Sequence, residues 1–97
     1  MAKYRKKPIV IDAFQWTGGP DQKEDPLWII DAIKNKKVWF KNIGSPSVKM
    51  KIETLEGVMT ADVNDWIIKN TEGEIHPCKP NIFDKAYELA EELTEDN

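Results

Sequence analysis

Cysteine and histidine occur once each, as Cys78 and His76. A lone cysteine excludes an internal disulfide. A structural zinc site needs four ligands, usually in closely spaced pairs, so His76-Pro77-Cys78 falls well short of one. No metal is expected, and Cys78 reads as a free thiol used for packing. Long apolar runs are also missing. None approaches the roughly 18–20 residues that span a bilayer. Asp12 and Gln15 interrupt the stretch from Ile9 to Trp16, so the start of the chain lacks the apolar segment of a secretion signal. The expectation is a cytoplasmic protein with no membrane partner.

Positive charge is not in excess either. The net charge of −3 argues against a general nucleic-acid binder, which needs a basic surface to displace phosphate counterions. Lys3, Arg5, Lys6 and Lys7 open the chain, while Glu88, Glu91, Glu92, Glu95 and Asp96 close it, so the two ends differ in sign. Catalytic signatures are missing too: there is no phosphate loop, no dinucleotide fingerprint and no Gly-x-Ser-x-Gly elbow. Asp62 and Asp65 could divide acid and base roles, but aspartates in a turn more often cap backbone N–H groups. No convergent acid, base and nucleophile set is present, so neither an enzyme nor a cofactor is expected.

What is there suits one small folded unit. Of 97 residues, 40% are hydrophobic and 32% charged, the balance of a globular domain, and a chain this short supports a single core. Residues 1–97 read as one domain, with the basic segment 1–7 and the acidic tail 94–97 as the parts open to mobility. Ile9–Trp16 mixes β-branched and aromatic residues and reads as a strand. Asp25 is placed to cap a helix with Pro26 in its first turn. Lys34-Asn35-Lys36-Lys37 then complements that helix's negative end. Val38-Trp39-Phe40 reads as a brief strand. From Val48 the pattern alternates, with Val48, Met50, Ile52 and Thr54 on one side and Lys49, Lys51 and Glu53 on the other, which predicts one buried and one wet face.

Val58–Ala61 answers that strand across Glu56-Gly57, and Trp66–Lys69 is answered by Glu74–His76 across Thr71-Glu72-Gly73. Asn81 reads as the cap of a closing helix whose apolar side carries Ile82, Ala86, Leu89 and Leu93. The predicted fold class is α+β: a single small domain with a curled, mainly antiparallel sheet of about five strands packed by two helices. Trp66 should be largely buried in it.

Trp16, Trp28, Trp39 and Trp66 are many tryptophans for this length. Two are expected in the core, leaving Trp16 or Trp28 as contacts, since aromatic faces stack bases or anchor interfaces. Trp16 leads onto Gly18-Gly19, a backbone that a ligand can approach closely. The candidate ligand site is therefore Lys3, Arg5, Lys6, Lys7, Trp16, Gly18 and Gly19, with Trp28 as a candidate interface residue. A competing reading of the basic run is that lysines and Pro8 guard a sheet edge.

Two blocks carry a resemblance. The first is Tyr4-Arg5-Lys6-Lys7-Pro8 with Phe14-Gln15-Trp16-Thr17-Gly18-Gly19. The second is Thr54-Leu55-Glu56-Gly57, Asp65-Trp66-Ile67-Ile68-Lys69, Gly73-Glu74 and Pro77-Cys78-Lys79-Pro80, continuing through Ile82-Phe83 to Tyr87-Glu88. Together they resemble a widespread family of short phage and prophage proteins, with Asn64 and Asn70 standing where glycine is common and His76 where an aromatic is common. The resemblance implies a phage accessory protein in the bacterial cytoplasm and transfers no catalytic residue. Two functions fit that setting: a non-enzymatic binder of a nucleotide-like anion that counters host defence, or a module that binds a host or phage protein. A homo-oligomer is compatible with both.

Overall fold

The computed structural model describes residues 2–4, 9–18 and 25–87. Its element order is β1 (Asp12–Gln15), α1 (Leu27–Lys34), β2 (Val38–Lys41), β3 (Lys49–Thr54), β4 (Gly57–Ala61), β5 (Trp66–Lys69), β6 (Ile75–Cys78) and α2 (Pro80–Ala86). The α+β composition with two helices stands, but the single curled sheet of about five strands does not form. Two separate three-stranded antiparallel sheets take its place, ordered β1-β5-β6 and β2-β3-β4. The chain leaves one sheet at Ala61 and enters the other at Trp66.

The turn between those residues makes the division. Asp65 N–H donates to Asp62 O at 3.0 Å, and Asn64 takes a left-handed conformation at φ +78°, which asparagine tolerates better than most residues. Asn64 N–H then donates to Trp16 O at 2.7 Å and Trp16 N–H to Asp65 O at 3.0 Å. Those two bonds carry the β1–β5 ladder past Gln15↔Trp66 and hold the turn against the first strand. Alternation along one strand cannot reveal which distant strand it pairs with, so the sequence pattern leaves β1–β5 pairing open.

β2 and β3 pair in the register Val38↔Ile52 and Phe40↔Met50, and β3 and β4 in the register Met50↔Ala61. Directly opposed residues share a face, so Val38, Met50, Ile52 and Ala61 all point inward, and each is at most 1% exposed. Phe14 and Ile67, paired on β1 and β5, meet them, and α1 contributes Ile29 and Ala32 to the same cluster. Of the expected inward set Val48, Met50, Ile52 and Thr54, the first three are buried, while Thr54, at the end of β3, is only half-buried. Ile9 and Val10 are exposed and precede β1, which is shorter than the expected strand.

Both helix starts differ from expectation. Pro26, not Asp25, is the N-cap of α1; no side chain caps it, and Pro26 O accepts from Ile29 N–H and Ile30 N–H. Lys79, not Asn81, is the N-cap of α2. Pro80 is ready-made for a first helical position and pushes the residue before it into extended backbone, which is the conformation of Lys79 (φ −68°, ψ 146°). Leu89 and Leu93 lie outside the described residues.

Trp66 is a further correction. On β5 the inward direction belongs to Ile67, so Trp66 and Ile68 share the opposite face with Cys78 and His76, their partners on β6. Trp66 is only half-buried. Its ring stacks on Phe83 of α2 at 4.0 Å with an interplanar angle of 4°, and Phe83 in turn stacks on Tyr87 at 5.1 Å. α2 buries no residue of its own, so this aromatic column is what ties it to the sheet.

Candidate functional site

The residues singled out from the sequence are not gathered into one anion site among the described residues. Arg5, Lys6, Lys7 and Gly19 lie outside them, and Lys3 is exposed. Trp16 is 7% exposed, its ring 5.9 Å from that of Phe40, so most of its surface is given to packing. Gly18 has φ +80°, and a β-carbon there would lie 2.7 Å from Val63 Cγ2. Backbone conformation and packing therefore account for the glycine. Trp28 is half-buried and meets Phe14 edge to face at 5.6 Å.

Trp16 and Gly18 do share a cavity of about 340 Å³ beneath α1, with Phe14, Ile29, Phe40 and Met50 among its walls. Asp25 is the one charged side chain on it among the described residues. An apolar hollow with a carboxylate at its edge repels phosphate rather than holding it. Trp28 borders a different hollow, which it shares with Asp12, Phe14 and Asp25.

The carboxylate pair has a structural task. Lys49 Nζ donates to Asp62 Oδ1 at 2.6 Å, and Lys79 Nζ to Asp62 Oδ2 at 2.8 Å and Asp65 Oδ2 at 3.0 Å. Asp65, 3% exposed, also accepts from Asp62 N–H at 2.9 Å. The hydrogen bonds from Lys49 and Lys79 hold the Asp62 carboxyl down to about 2, so it stays ionised at neutral pH and has no proton to give. The same carboxylates raise Lys79. Next to it, burial and then the Asp65 charge push the Cys78 thiol up, away from the thiolate that nucleophilic chemistry needs. The network clamps β3, the crossover turn and β6 together.

A surface that the sequence reading passed over is better suited to a ligand. Residues 34–52 contain Lys34, Lys36, Lys37, Lys41, Lys49 and Lys51 and no carboxylate. Read one element at a time, these lysines were a helix-end complement and the wet side of a strand. The registers Trp39↔Lys51↔Thr60 and Lys41↔Lys49 bring these five side chains onto the outer face of the β2-β3-β4 sheet around one another. Trp39 is 37% exposed and Lys41 is exposed.

Charge balance on that face is incomplete. Lys49 is engaged by Asp62. Lys51 Nζ donates to the neutral Thr60 Oγ1 at 2.8 Å, and neither Lys41 nor Lys51 forms an ion pair among the described residues. Lys41 stands directly opposite Lys49, whose charge Asp62 already meets, so among the described residues of this face the cations left without a carboxylate are Lys41 and Lys51. The signal that could have found this site was the six-lysine, carboxylate-free window combined with the outward period of two that puts Trp39 among those lysines. Among the described residues no helix is long and apolar enough to cross a membrane. The chain matches no family model, and no curated protein or solved structure is significantly similar to it.

Proposed function

We propose that this chain is a non-catalytic binding protein that takes a nucleotide-like anion on the outer face of the β2-β3-β4 sheet. The observation that carries the reading is an exposed Trp39 ring between Lys41, two residues along its own strand, and Lys51, directly across from it. The ring offers a stacking plane for a base, worth about 1–3 kcal/mol. The two lysines, with no carboxylate paired to them, supply charge for phosphate. The reading places the anion on paired strands of the β2-β3-β4 sheet, and not on the basic run at Lys3–Lys7.

The setting belongs to the same proposal. The resemblance of the Tyr4–Pro8 and Thr54–Glu88 blocks to phage proteins supports an accessory protein acting in the bacterial cytoplasm, where capturing a nucleotide would blunt a host response. No reaction is required of it. Calorimetric titration of the wild type, Trp39→Ala and Lys41→Ala/Lys51→Ala against mononucleotides, cyclic nucleotides and short oligonucleotides tests the reading. Binding by the wild type that weakens in both variants supports it; equal binding by all three proteins, or none by the wild type, removes the site.

A second reading, a module for a host or phage protein, draws on the β3–β4 hairpin. Leu55 is 90% exposed at its tip and Val58 is exposed beside it, which is apolar surface that a protein partner would cover. Co-purification that survives Trp39→Ala but is lost in Leu55→Ser would favour this reading.

A further inference from the structure

Resting on the nucleotide reading above, we infer that the ligand is a single-stranded polynucleotide lying across the β2-β3-β4 face, and not a mononucleotide. The shape of the face carries the step. Small ligands gain affinity where a concave site covers most of their surface, whereas Trp39 stands on the open side of a three-stranded sheet. Lys41, Val58 and Thr60 around it are exposed as well. A single nucleotide stacked there keeps its other face in water and reaches one or two cations.

A polymer gains what a monomer cannot. The second and later phosphates bind intramolecularly once the first base is seated, and each neutralised phosphate releases a counterion. The cations are laid out for such a path. Glu53 N–H donates to Lys37 O at 2.8 Å, which continues the β2–β3 ladder one residue beyond Val38↔Ile52. Lys37, Trp39 and Lys41 then succeed one another at alternate positions, about 6–7 Å apart, with Lys51 beside the ring. Glu53 faces Lys37 across the strands, so the charge open to a phosphate chain following β2 is that of Lys41 after the stacked base and Lys51 beside it.

At physiological salt the screening length is about 8 Å, so the charges within that reach of Trp39, more than the net charge of −3, set the field of this face. The face also predicts what is not recognised. It carries no arginine, asparagine or glutamine to read a base edge, its one hydroxyl, Thr60 Oγ1, is held by Lys51, and its carboxylate, Glu53, lies opposite Lys37 and Val58 and not beside the Trp39 ring. Binding is therefore indifferent to sequence and to the sugar.

The test is titration of the full chain, followed by tryptophan fluorescence and anisotropy, with dT15, U15, thymidine monophosphate, inorganic polyphosphate and poly-glutamate. The expected result is binding of dT15 and U15 within threefold of each other, with a dissociation constant of about 1–100 µM. Thymidine monophosphate, polyphosphate and poly-glutamate should each bind at least tenfold more weakly. Trp39→Ala should weaken dT15 roughly tenfold, the loss of one base stack, while Trp39→Phe, which keeps an aromatic plane and guards against a folding artefact, should retain most of it. Lys41→Ala/Lys51→Ala should reduce the slope of log K against log salt by about 1.4, two phosphates' worth on a single strand.

Thymidine monophosphate binding as tightly as dT15 would overturn the polymer inference and leave the nucleotide reading intact. No binding of any nucleotide would remove both. Polyphosphate or poly-glutamate matching dT15, with Trp39→Ala unchanged, would overturn the inference in favour of a generic anion surface or an acidic protein partner. A preference of more than tenfold for one sugar would overturn it as well.

Discussion

The two sheets have the same size and pairing mode, but they are built from opposite kinds of strand. β5 presents Trp66-Ile67-Ile68-Lys69, with both isoleucines buried, because the β1-β5-β6 sheet has the core on one face and the Trp66–Phe83–Tyr87 column on the other. β3 alternates instead, with Met50 and Ile52 inward and Lys49, Lys51 and Glu53 outward, because among the described residues only one face of the β2-β3-β4 sheet is covered. A sheet covered on both faces reads as a continuous apolar run and a half-covered one as alternation. The difference separates the surface that packs on both sides from the surface on which the proposed site lies.

If that contrast is right, the largest stability loss comes from the shared inner layer. Ile67 is 0% exposed and faces the other sheet, so Ile67→Ala should cost about 2–5 kcal/mol. That is enough to unfold much of a domain with the usual marginal stability. Val58→Ala, on the uncovered face of β4, should change stability by no more than about 0.5 kcal/mol. Urea unfolding of the two variants measures both, and similar midpoints would erase the distinction between the faces.

Next in size is the covered outer face of the first sheet. Because Trp66 is half-buried and held mainly by a ring stack, Trp66→Ala should cost about 1–3 kcal/mol, less than full burial implies. Phe83→Ala should cost a similar amount. The double variant should fall short of the sum by about 0.5–1.5 kcal/mol, the coupling of one aromatic pair. Strict additivity would mean that α2 is docked by something other than this column.

The clamp between the sheets gives a smaller, pH-dependent effect. Asp62 titrates at about 2 when folded against 3.8 for an ordinary aspartate, so its ion pairs stabilise the fold fully above pH 4. That contribution is lost as pH falls from about 4 towards 2. Both partners are well exposed, so screening keeps the effect modest. Melting temperature against pH should therefore show a shallower acid limb in Asp62→Asn than in the wild type, with the curves differing most at neutral pH. Parallel curves would show that Asp62 adds nothing to the clamp.

How much of this was legible beforehand depended on the range of the interaction involved. The existence of the strands, the buried residues Val48, Met50 and Ile52, and the turns at Glu56-Gly57 and Gly73 follow from periods and turn residues within a few positions of one another, whereas the ends of β1 and of β6, which runs on through Pro77 to Cys78, do not. The partition into two sheets does not. It rests on β1 meeting β5 across some fifty residues through the Trp16–Asn64–Asp65 bonds, and no local pattern encodes that partner. Trp66 was misplaced for a related reason: Trp66-Ile67-Ile68 shows no alternation, so the sequence cannot say which residue turns inward. The candidate site was missed because its lysines belong to a helix end and two strands, and only the β2–β3 register assembles them.

The smallest stability effect is expected where the functional effect is largest. Trp39 and Lys41 sit on the outer face, and Trp39 belongs neither to the inner cluster nor to the ring pairs among the described residues. Trp39→Ala should therefore shift stability by no more than about 1 kcal/mol, mostly through lost strand propensity and cross-strand contact with Lys51. Lys41→Glu goes further in sharpening the contrast. It sets a carboxylate opposite Lys49, which it shares with Asp62, so thermal unfolding should leave the variant as stable as the wild type or more stable by a few tenths of a kcal/mol. A face selected only for folding would already carry that carboxylate. If the exchange stabilises the protein while abolishing anion binding, Lys41 is retained for its ligand; if it clearly destabilises the protein, Lys41 has a structural role and the uncovered sheet is not the surface left free for a partner.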